Sequence, residues 1–227
     1  MRIALIGMGR MGRMIRDCAA DRGIEVAAEF NTATIAQLAQ CDRMDAVIDF
    51  SAPASLPALA AYVQRTGTPL VSGTTGYCDE EAARVNALGS YAPVAVSANF
   101  SIGVAVLKHL AAEAAALLPD FDIEIIETHH RMKKDAPSGT AKLLLSAVNR
   151  EGFAPRTAGE IGVHAVRGGT VAGVHTVSFF GDEEELSLTH RAESRRIFAI
   201  GALKTAEKLK DAPVGLHTLD ELLFARR

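Results

Sequence analysis

Cysteine is scarce in this chain, and the three present, Cys18, Cys41 and Cys78, are odd in number and widely spaced. They form no CxxC pair, so neither a structural zinc site nor a disulfide framework is expected, and a reducing compartment fits best. Positive charge is not in excess: 24 Lys and Arg stand against 27 Asp and Glu, a net charge of −3. A nucleic-acid partner, which requires a basic surface, is therefore not expected. The opening MRIALIGMGRMG is too short and too broken by glycine for a signal peptide. One nearly continuous apolar stretch, residues 101–118, is interrupted by Lys108, His109 and Glu113, which would be costly at mid-bilayer. It predicts a buried, alanine-rich helix, and the protein is expected to be cytoplasmic, without a membrane partner. Internal repeats and low-complexity tracts are also lacking. What remains is the composition of a globular enzyme: 227 residues, 48% hydrophobic and 22% charged, enough for one large domain or two small ones.

Over the first hundred residues a short apolar run, a turn and an amphipathic helix recur. The runs at residues 2–6, 25–30, 45–50, 69–72 and 93–97 are apolar almost throughout, as strands buried on both faces of a parallel sheet must be. Between the first two, Met11, Met14, Ile15, Cys18 and Ala19 recur at helical spacing, with Arg10, Arg13, Arg16 and Asp17 on the other face. Alternating units of this kind predict a Rossmann-like, doubly wound α/β domain. After residue 118 the pattern changes. Residues 121–128, 161–167, 174–180 and 185–190 partly alternate in polarity, which predicts a second α+β domain with an open mixed sheet. A helix is expected to start at Ser138, a loop to occupy residues 149–160, and a helix to cover residues 194–209. Thr218 and Glu221 have capping-box spacing for a last short helix.

Gly7-Met8-Gly9-Arg10-Met11-Gly12 lies where the first strand gives way to the first helix. The first two glycines permit a tight turn and close backbone approach to a pyrophosphate, the third lets helix pack on strand, and the helix start binds the anion. Ribose specificity is set about 20 residues further on, at Ala28-Glu29-Phe30-Asn31-Thr32. No Lys or Arg lies between Arg22 and Arg43 to meet a 2′-phosphate, which favours NADH. The later strands end in Asp49-Phe50-Ser51, in Ser72-Gly73-Thr74-Thr75-Gly76 and in Ser97-Ala98-Asn99-Phe100. These are carboxyl ends of parallel strands, where small hydroxyl and glycine residues can hold a nicotinamide.

The densest chemistry runs from Glu127 to Thr140: His129 and His130 after a strand, then Lys133 and Lys134, then Pro137-Ser138-Gly139-Thr140 opening a helix. Ser138, Gly139 and Thr140 present a hydroxyl and free N–H groups, a ready carboxylate site. The cluster suits an anionic substrate that needs a proton. His164, His175 and His190 lie on strands and are read as packing or hydrogen-bonding residues, His109 and His217 as surface residues.

Residues 127–141 match the pattern E-x-H-H-x-x-K-x-D-A-P-S-G-T-A, and this segment resembles the 4-hydroxy-tetrahydrodipicolinate reductase family. The glycine loop, the segments at residues 73–75 and 97–100, and GVHAVRGG, GVHT and THRAESRRIFAIG extend the resemblance over nearly the whole chain. Two departures stand out: the glycine loop is one residue shorter than in many members, and no acidic–basic pair follows the second strand. The resemblance implies reduction of 4-hydroxy-tetrahydrodipicolinate to tetrahydrodipicolinate by NADH or NADPH, with loss of water, in lysine and diaminopimelate biosynthesis. It implies His129 as acid–base residue, Lys133 as proton donor, His130 as a substrate contact, and Ser138, Gly139 and Thr140 as the carboxylate site. No metal is implied. It also implies a cofactor domain of residues 1–100 and 196–227, a substrate and oligomerisation domain of residues 101–195, and a homotetramer. The apolar face of residues 174–180, not fully covered within one chain, supports the last expectation. Another amino-acid reductase of the aspartate dehydrogenase kind would share the first hundred residues but need no HHxxK–PSGT arrangement. A non-catalytic dinucleotide sensor would have no use for paired acid–base groups.

Overall fold

A computed structural model describes residues 1–149 and 161–224. The loop expected at residues 149–160 lies, beyond Asn149, outside the described residues. The chain forms two compact units, Met1–Ser101 with the segment from Arg196 onward, and Ile102–Arg195.

The first unit alternates β1 (Arg2–Ile6), α1 (Arg10–Asp21), β2 (Glu25–Phe30), β3 (Ala46–Asp49), α2 (Leu56–Thr66), β4 (Leu70–Ser72), α3 (Asp79–Ala87) and β5 (Pro93–Val96). Ile3, Leu5, Val47, Ile48, Leu70 and Val94 are fully buried, because helices close both faces of the sheet. With β10 (Gly215–Leu216) at one edge, strand order is β10-β5-β4-β3-β1-β2, all parallel. The chain runs from β1 to β2 on one side and then crosses to β3 on the other. The order therefore reverses between β1 and β3, and at such a switch point open α/β sheets bind ligands beyond the strand ends. Two features depart from the sequence expectation. The link from β2 to β3 holds only a 3₁₀ turn, Ile35–Gln40, because fifteen-odd residues with Thr32, Thr34 and a single buried Leu38 leave no room for a full amphipathic helix. A sixth strand, β10, is just Gly215–Leu216, too short to show any periodicity.

The second unit comprises α4 (Ile102–Leu117), β6 (Asp122–His129), α5 (Gly139–Val148), β7 (Gly162–Arg167), β8 (Gly173–Phe180) and β9 (Glu185–Ala192). Its sheet runs β7-β6-β8-β9, with β6 and β7 parallel and the other pairs antiparallel. Leu107 and Ala111 of α4 and Leu144 of α5 bury Ile123, Ile125, Val177 and Phe179 on one sheet face. Strand alternation thus turns the most apolar residues of β8 onto the helices. The open face of that strand carries Val174, Thr176, Ser178 and Phe180 instead, a correction to the apolar face expected there. Nor is α4 buried all round: Leu110 is 48% and Leu117 77% exposed, and small Ala111, Ala114 and Ala115 form its inner stripe. No helix of the described residues is long and apolar enough to cross a membrane.

The chain then returns to the first unit with α6 (Arg196–Leu209), β10 (Gly215–Leu216) and α7 (Leu219–Phe224). Helix α6 packs on α1 and on β3, β4 and β5 through Ala199, Ala202, Leu203 and Ala206. The Thr218–Glu221 capping box is formed, with the Thr218 N–H donating to Glu221 Oε2 at 2.8 Å and the Glu221 N–H to Thr218 Oγ1 at 3.2 Å. Replacing a helix-interior glycine by alanine ordinarily stabilises by about 1 kcal/mol. At Gly201 of α6 a Cβ would lie 1.7 Å from the Phe100 carbonyl oxygen. Gly201→Ala is therefore expected to lower the urea unfolding midpoint, and an unchanged or raised midpoint would show that α6 is not seated this closely.

Candidate functional site

In the first unit the glycine loop has the geometry its sequence implies. Gly7 has φ +92°, and a Cβ there would lie 2.3 Å from the Phe50 carbonyl oxygen; a Cβ at Gly12 would lie 1.8 Å from the Gly7 carbonyl oxygen. Only glycine fits either place. At Gly9, which caps α1, a Cβ would meet nothing within 4 Å. No side chain caps this helix and no acidic residue stands in its first turn, so its N–H groups are available to an anion in open space. The residues therefore fit a dinucleotide pyrophosphate.

Around this loop, Asn31 turns its side-chain oxygen onto the Ala33 and Thr34 N–H groups at 2.9 and 3.2 Å. Glu29 lies 3.8 Å from Arg16. Thr75 and Ala98 are exposed, whereas Thr74 is buried and donates its hydroxyl to Asp49 Oδ2 at 2.8 Å. Ser97 Oγ donates to the Asn99 carbonyl at 2.7 Å and accepts from its N–H at 3.1 Å, folding that loop on itself. The Phe100 ring is in the core beside Phe50, so this residue can offer a ligand only its backbone.

In the second unit, β6 alternates so that Ile123, Ile125, Glu127 and His129 share the helix-covered face. The first two join the core. The last two reach the start of α5 and become polar and buried. Glu127 has no exposed surface. Its carboxylate accepts two bonds from the Arg167 guanidinium, at 2.8 and 3.1 Å, one from the Ser138 N–H at 3.1 Å, and one from His129 Nδ1. Burial pushes the Glu127 carboxyl up, but Arg167, His129 and Ser138 outweigh it and hold it below the ordinary carboxylate range. For His129, burial wins over the bond to Glu127 and depresses the imidazole, so the ring is neutral. Nδ1 bears the proton, and Nε2 is left basic. A Cβ at Gly173 would lie 3.1 Å from that Nε2, so glycine keeps the space beside it.

Ser138 caps α5 by accepting from the Ala141 N–H at 3.2 Å, and its hydroxyl also meets His175 Nε2 at 3.2 Å. Gly139 begins the helix in open space and Thr140 is half-buried. His130 is half-buried. Lys133 Nζ pairs with Asp135 at 2.9 Å, beyond the Glu127 cluster. The geometry thus gathers His129 and Ser138, puts Lys133 on a neighbouring carboxylate, and adds three residues that the sequence reading did not place in the site. Glu127 lay within the motif; Arg167 and His175 are distant in sequence. They join because Glu127 pairs with His175 on β8 and His129 with Arg167 on β7. Only strand register reveals such neighbours: His175, expected to be a packing or hydrogen-bonding residue, does hydrogen-bond to Ser138 and stands in this cluster, its ring centroid 5.1 Å from that of His129. His164, by contrast, pairs with Glu124 at 2.7 Å on the open face.

The ligand atoms of Glu127, His129 and His175 lie within 4.8 Å of one another, a spacing a metal would accept. Yet both Glu127 oxygens already take guanidinium donors, and a cation there would face the fixed charge of Arg167. The donor set suits proton handling better.

Burial, and after it His129, depresses the His175 imidazole to about 4 from 6.5. A histidine that is neutral when folded takes up a proton on unfolding, so its contribution is complete above the unfolded pKa and is lost as pH falls toward the folded one. His175 should therefore remove up to about 3 kcal/mol of stability between its ordinary pKa and about pH 4. His175→Gln is expected to flatten the pH dependence of the urea midpoint in that window. An unchanged slope would show that His175 is not buried neutral.

Comparisons with known proteins follow the same division. Residues 1–100 match the family model described as dihydrodipicolinate reductase, N-terminus, and residues 103–223 the model described as dihydrodipicolinate reductase, C-terminus. The 4-hydroxy-tetrahydrodipicolinate reductase of an Exiguobacterium species is 41% identical over 98% of this chain and 95% of its own. That of Clostridium tetani is 39% identical over 98% and 97%. The fold is shared with a dipicolinate-bound dihydrodipicolinate reductase from Paenisporosarcina sp. TG-14, TM-score 0.81 at 22% identity, covering 98% of this chain and 99% of that one. With both units matched in order and the E-x-H-H-x-x-K segment at the buried cluster of the second, the chain belongs to the dihydrodipicolinate reductase family.

Proposed function

We propose that the chain reduces 4-hydroxy-tetrahydrodipicolinate to tetrahydrodipicolinate with NAD(P)H, a step of lysine and diaminopimelate biosynthesis. The observation that carries this reading is the buried Glu127–His129 pair beside the capped start of α5. One water is lost, and one hydride and one proton add across the resulting conjugated imine. The first unit serves as the cofactor domain and the second as the substrate domain.

The glycine loop would hold the pyrophosphate through backbone N–H groups, Asn31 the adenosine ribose, and residues 73–75 and 97–100 the nicotinamide side. When bound, the reduced nicotinamide supplies the hydride. The chain's side chains handle the proton. Ionised Glu127 fixes the His129 proton on Nδ1, so Nε2 is the nitrogen that gains and gives the catalytic one. A dicarboxylate arriving beside a neutral, buried imidazole favours the imidazolium, so substrate binding loads the proton the product requires. Lys133 exchanges its partner Asp135 for a substrate carboxylate and, as proton donor, restores to His129 the one proton that it gives up. His130 contacts substrate, and Ser138, Gly139 and Thr140 hold a carboxylate at the start of α5.

The test is coupled turnover: pyruvate, aspartate semialdehyde and the preceding synthase are mixed with the chain, and oxidation of NADH or NADPH is followed by absorbance. Oxidation no faster than without the chain would refute the reading. His129→Gln and Lys133→Ala should each lower kcat by about 10² to 10⁴, the usual weight of a positioned acid or base. NADH affinity, titrated by fluorescence in the same preparations, should change by less than about 1 kcal/mol. Lys133→Ala should also raise KM, since an ammonium near a dicarboxylate binds the ground state too.

NADH serves at least as well as NADPH, because the chain after β2 offers no Lys or Arg before Arg43 and Arg16 is engaged by Glu29. A tenfold or larger advantage for NADPH in kcat/KM would overturn this. The functional assembly is a homotetramer built on the open sheet face of the second unit, where Ile126, Val166 and Phe180 are 41%, 48% and 38% exposed. Light scattering at micromolar concentration should return four chains; a monomer mass would rule it out.

A further inference from the structure

The mechanism above leaves unused the most buried carboxylate of the first unit. Asp49 ends β3, 1% exposed, opposite Ile6 at the end of β1, and so at the switch point of the sheet. Its Oδ1 accepts from Ser51 Oγ at 2.5 Å. Its Oδ2 accepts from Thr74 Oγ1 at 2.8 Å, Ser72 Oγ at 3.2 Å and the Tyr77 hydroxyl at 3.4 Å. Thr74 Oγ1 in turn accepts from the Ser51 N–H at 3.0 Å. Four hydroxyls able to donate are the surround that an ionised carboxylate needs. Burial pushes the Asp49 carboxyl up, and the hydroxyls of Ser51, Thr74 and Ser72 offset that only in part, leaving it above the ordinary carboxylate range. Among the described residues no Lys, Arg or His pairs with it. The next residue, Phe50, touches the glycine loop, since a Cβ at Gly7 would meet its carbonyl oxygen at 2.3 Å.

Neutral hydroxyls hold this charge without cancelling it, and a low-dielectric surround lets its field reach the strand ends. The oxidised nicotinamide ring is a cation and the reduced ring is neutral. We propose, resting on the cofactor reading above, that Asp49 is the residue that sets the relative affinity for the two cofactor forms: its uncompensated charge favours the oxidised one. Favouring the product of hydride donation makes the bound reduced cofactor a stronger donor, and neither loop hydroxyls nor backbone N–H groups can supply that preference.

The test titrates wild type and Asp49→Asn with NADH by fluorescence and with NAD⁺ by calorimetry, without substrate. Asparagine keeps the side-chain shape and one acceptor oxygen while removing the charge. NAD⁺ should bind about tenfold more weakly to the variant while NADH changes by less than about twofold, the asymmetry a lost charge produces. Equal weakening of both would show that Asp49 merely holds the loops, and no change in either would show that its field does not reach the ring; both outcomes overturn the proposal and leave the cofactor reading standing. A wild type that bound neither dinucleotide would remove the cofactor reading and this proposal together. If Asp49→Asn does not melt cooperatively, Asp49→Ser carries the same comparison.

Discussion

A carboxylate with no exposed surface must be fully satisfied or it unfolds its surroundings, and Glu127 meets that demand with Arg167, His129 and Ser138. Removing one partner of such a buried pair typically costs about 3–5 kcal/mol, because the other charge is left uncompensated. Each partner comes from a different element: His129 from β6 itself, Arg167 from the parallel neighbour β7, and Ser138 from the start of α5. Satisfying one charge therefore fixes sheet register, helix entry and imidazole orientation at once. The ring of His129 cannot rotate without breaking the bond that keeps Glu127 buried, which is how a structural constraint becomes a chemical one. His175 completes the wall, held neutral by the same burial and joined to the helix cap through the Ser138 hydroxyl.

The two units hold carboxylates in opposite ways. Glu127 is neutralised by a guanidinium, so its charge orients a neighbour and extends little further. Asp49 is surrounded by hydroxyls of Ser51, Ser72, Thr74 and Tyr77, none of which brings a countercharge. The strands that present them differ in the same sense. Residues on β3 are buried on both sides by crossing helices, whereas β6 is buried on one face and open on the other.

Much of this was legible in the sequence wherever the physics is local. The bounds of β1 and β2 follow from unbroken apolar runs, the course of α1 from a 3.6-residue period, and the Ser138 and Thr218 caps from side chains that must satisfy nearby N–H groups. Legibility failed where pairing across the sheet decides the outcome. Arg167 and His175 carry no local mark of a site; only their register against His129 and Glu127 brings them there. The face that β8 leaves open is hidden from sequence for a related reason: Phe179 and Phe180 are adjacent and equally apolar, and only the covering helices tell which is inside. Phe100 follows β5 at a strand end, but its ring belongs to the core.

The central claim is that burial keeps His129 neutral while an ionised Glu127 fixes its one proton on Nδ1, keeping Nε2 as the basic nitrogen. Nitrogen-15 NMR of the histidine rings in the ligand-free protein at neutral pH reads this directly. The expected spectrum gives His129 a protonated Nδ1 and an unprotonated Nε2, and Glu127→Gln should disturb that pattern. A His129 ring with its proton on Nε2 and a bare Nδ1 would contradict the account, whatever the rate of turnover.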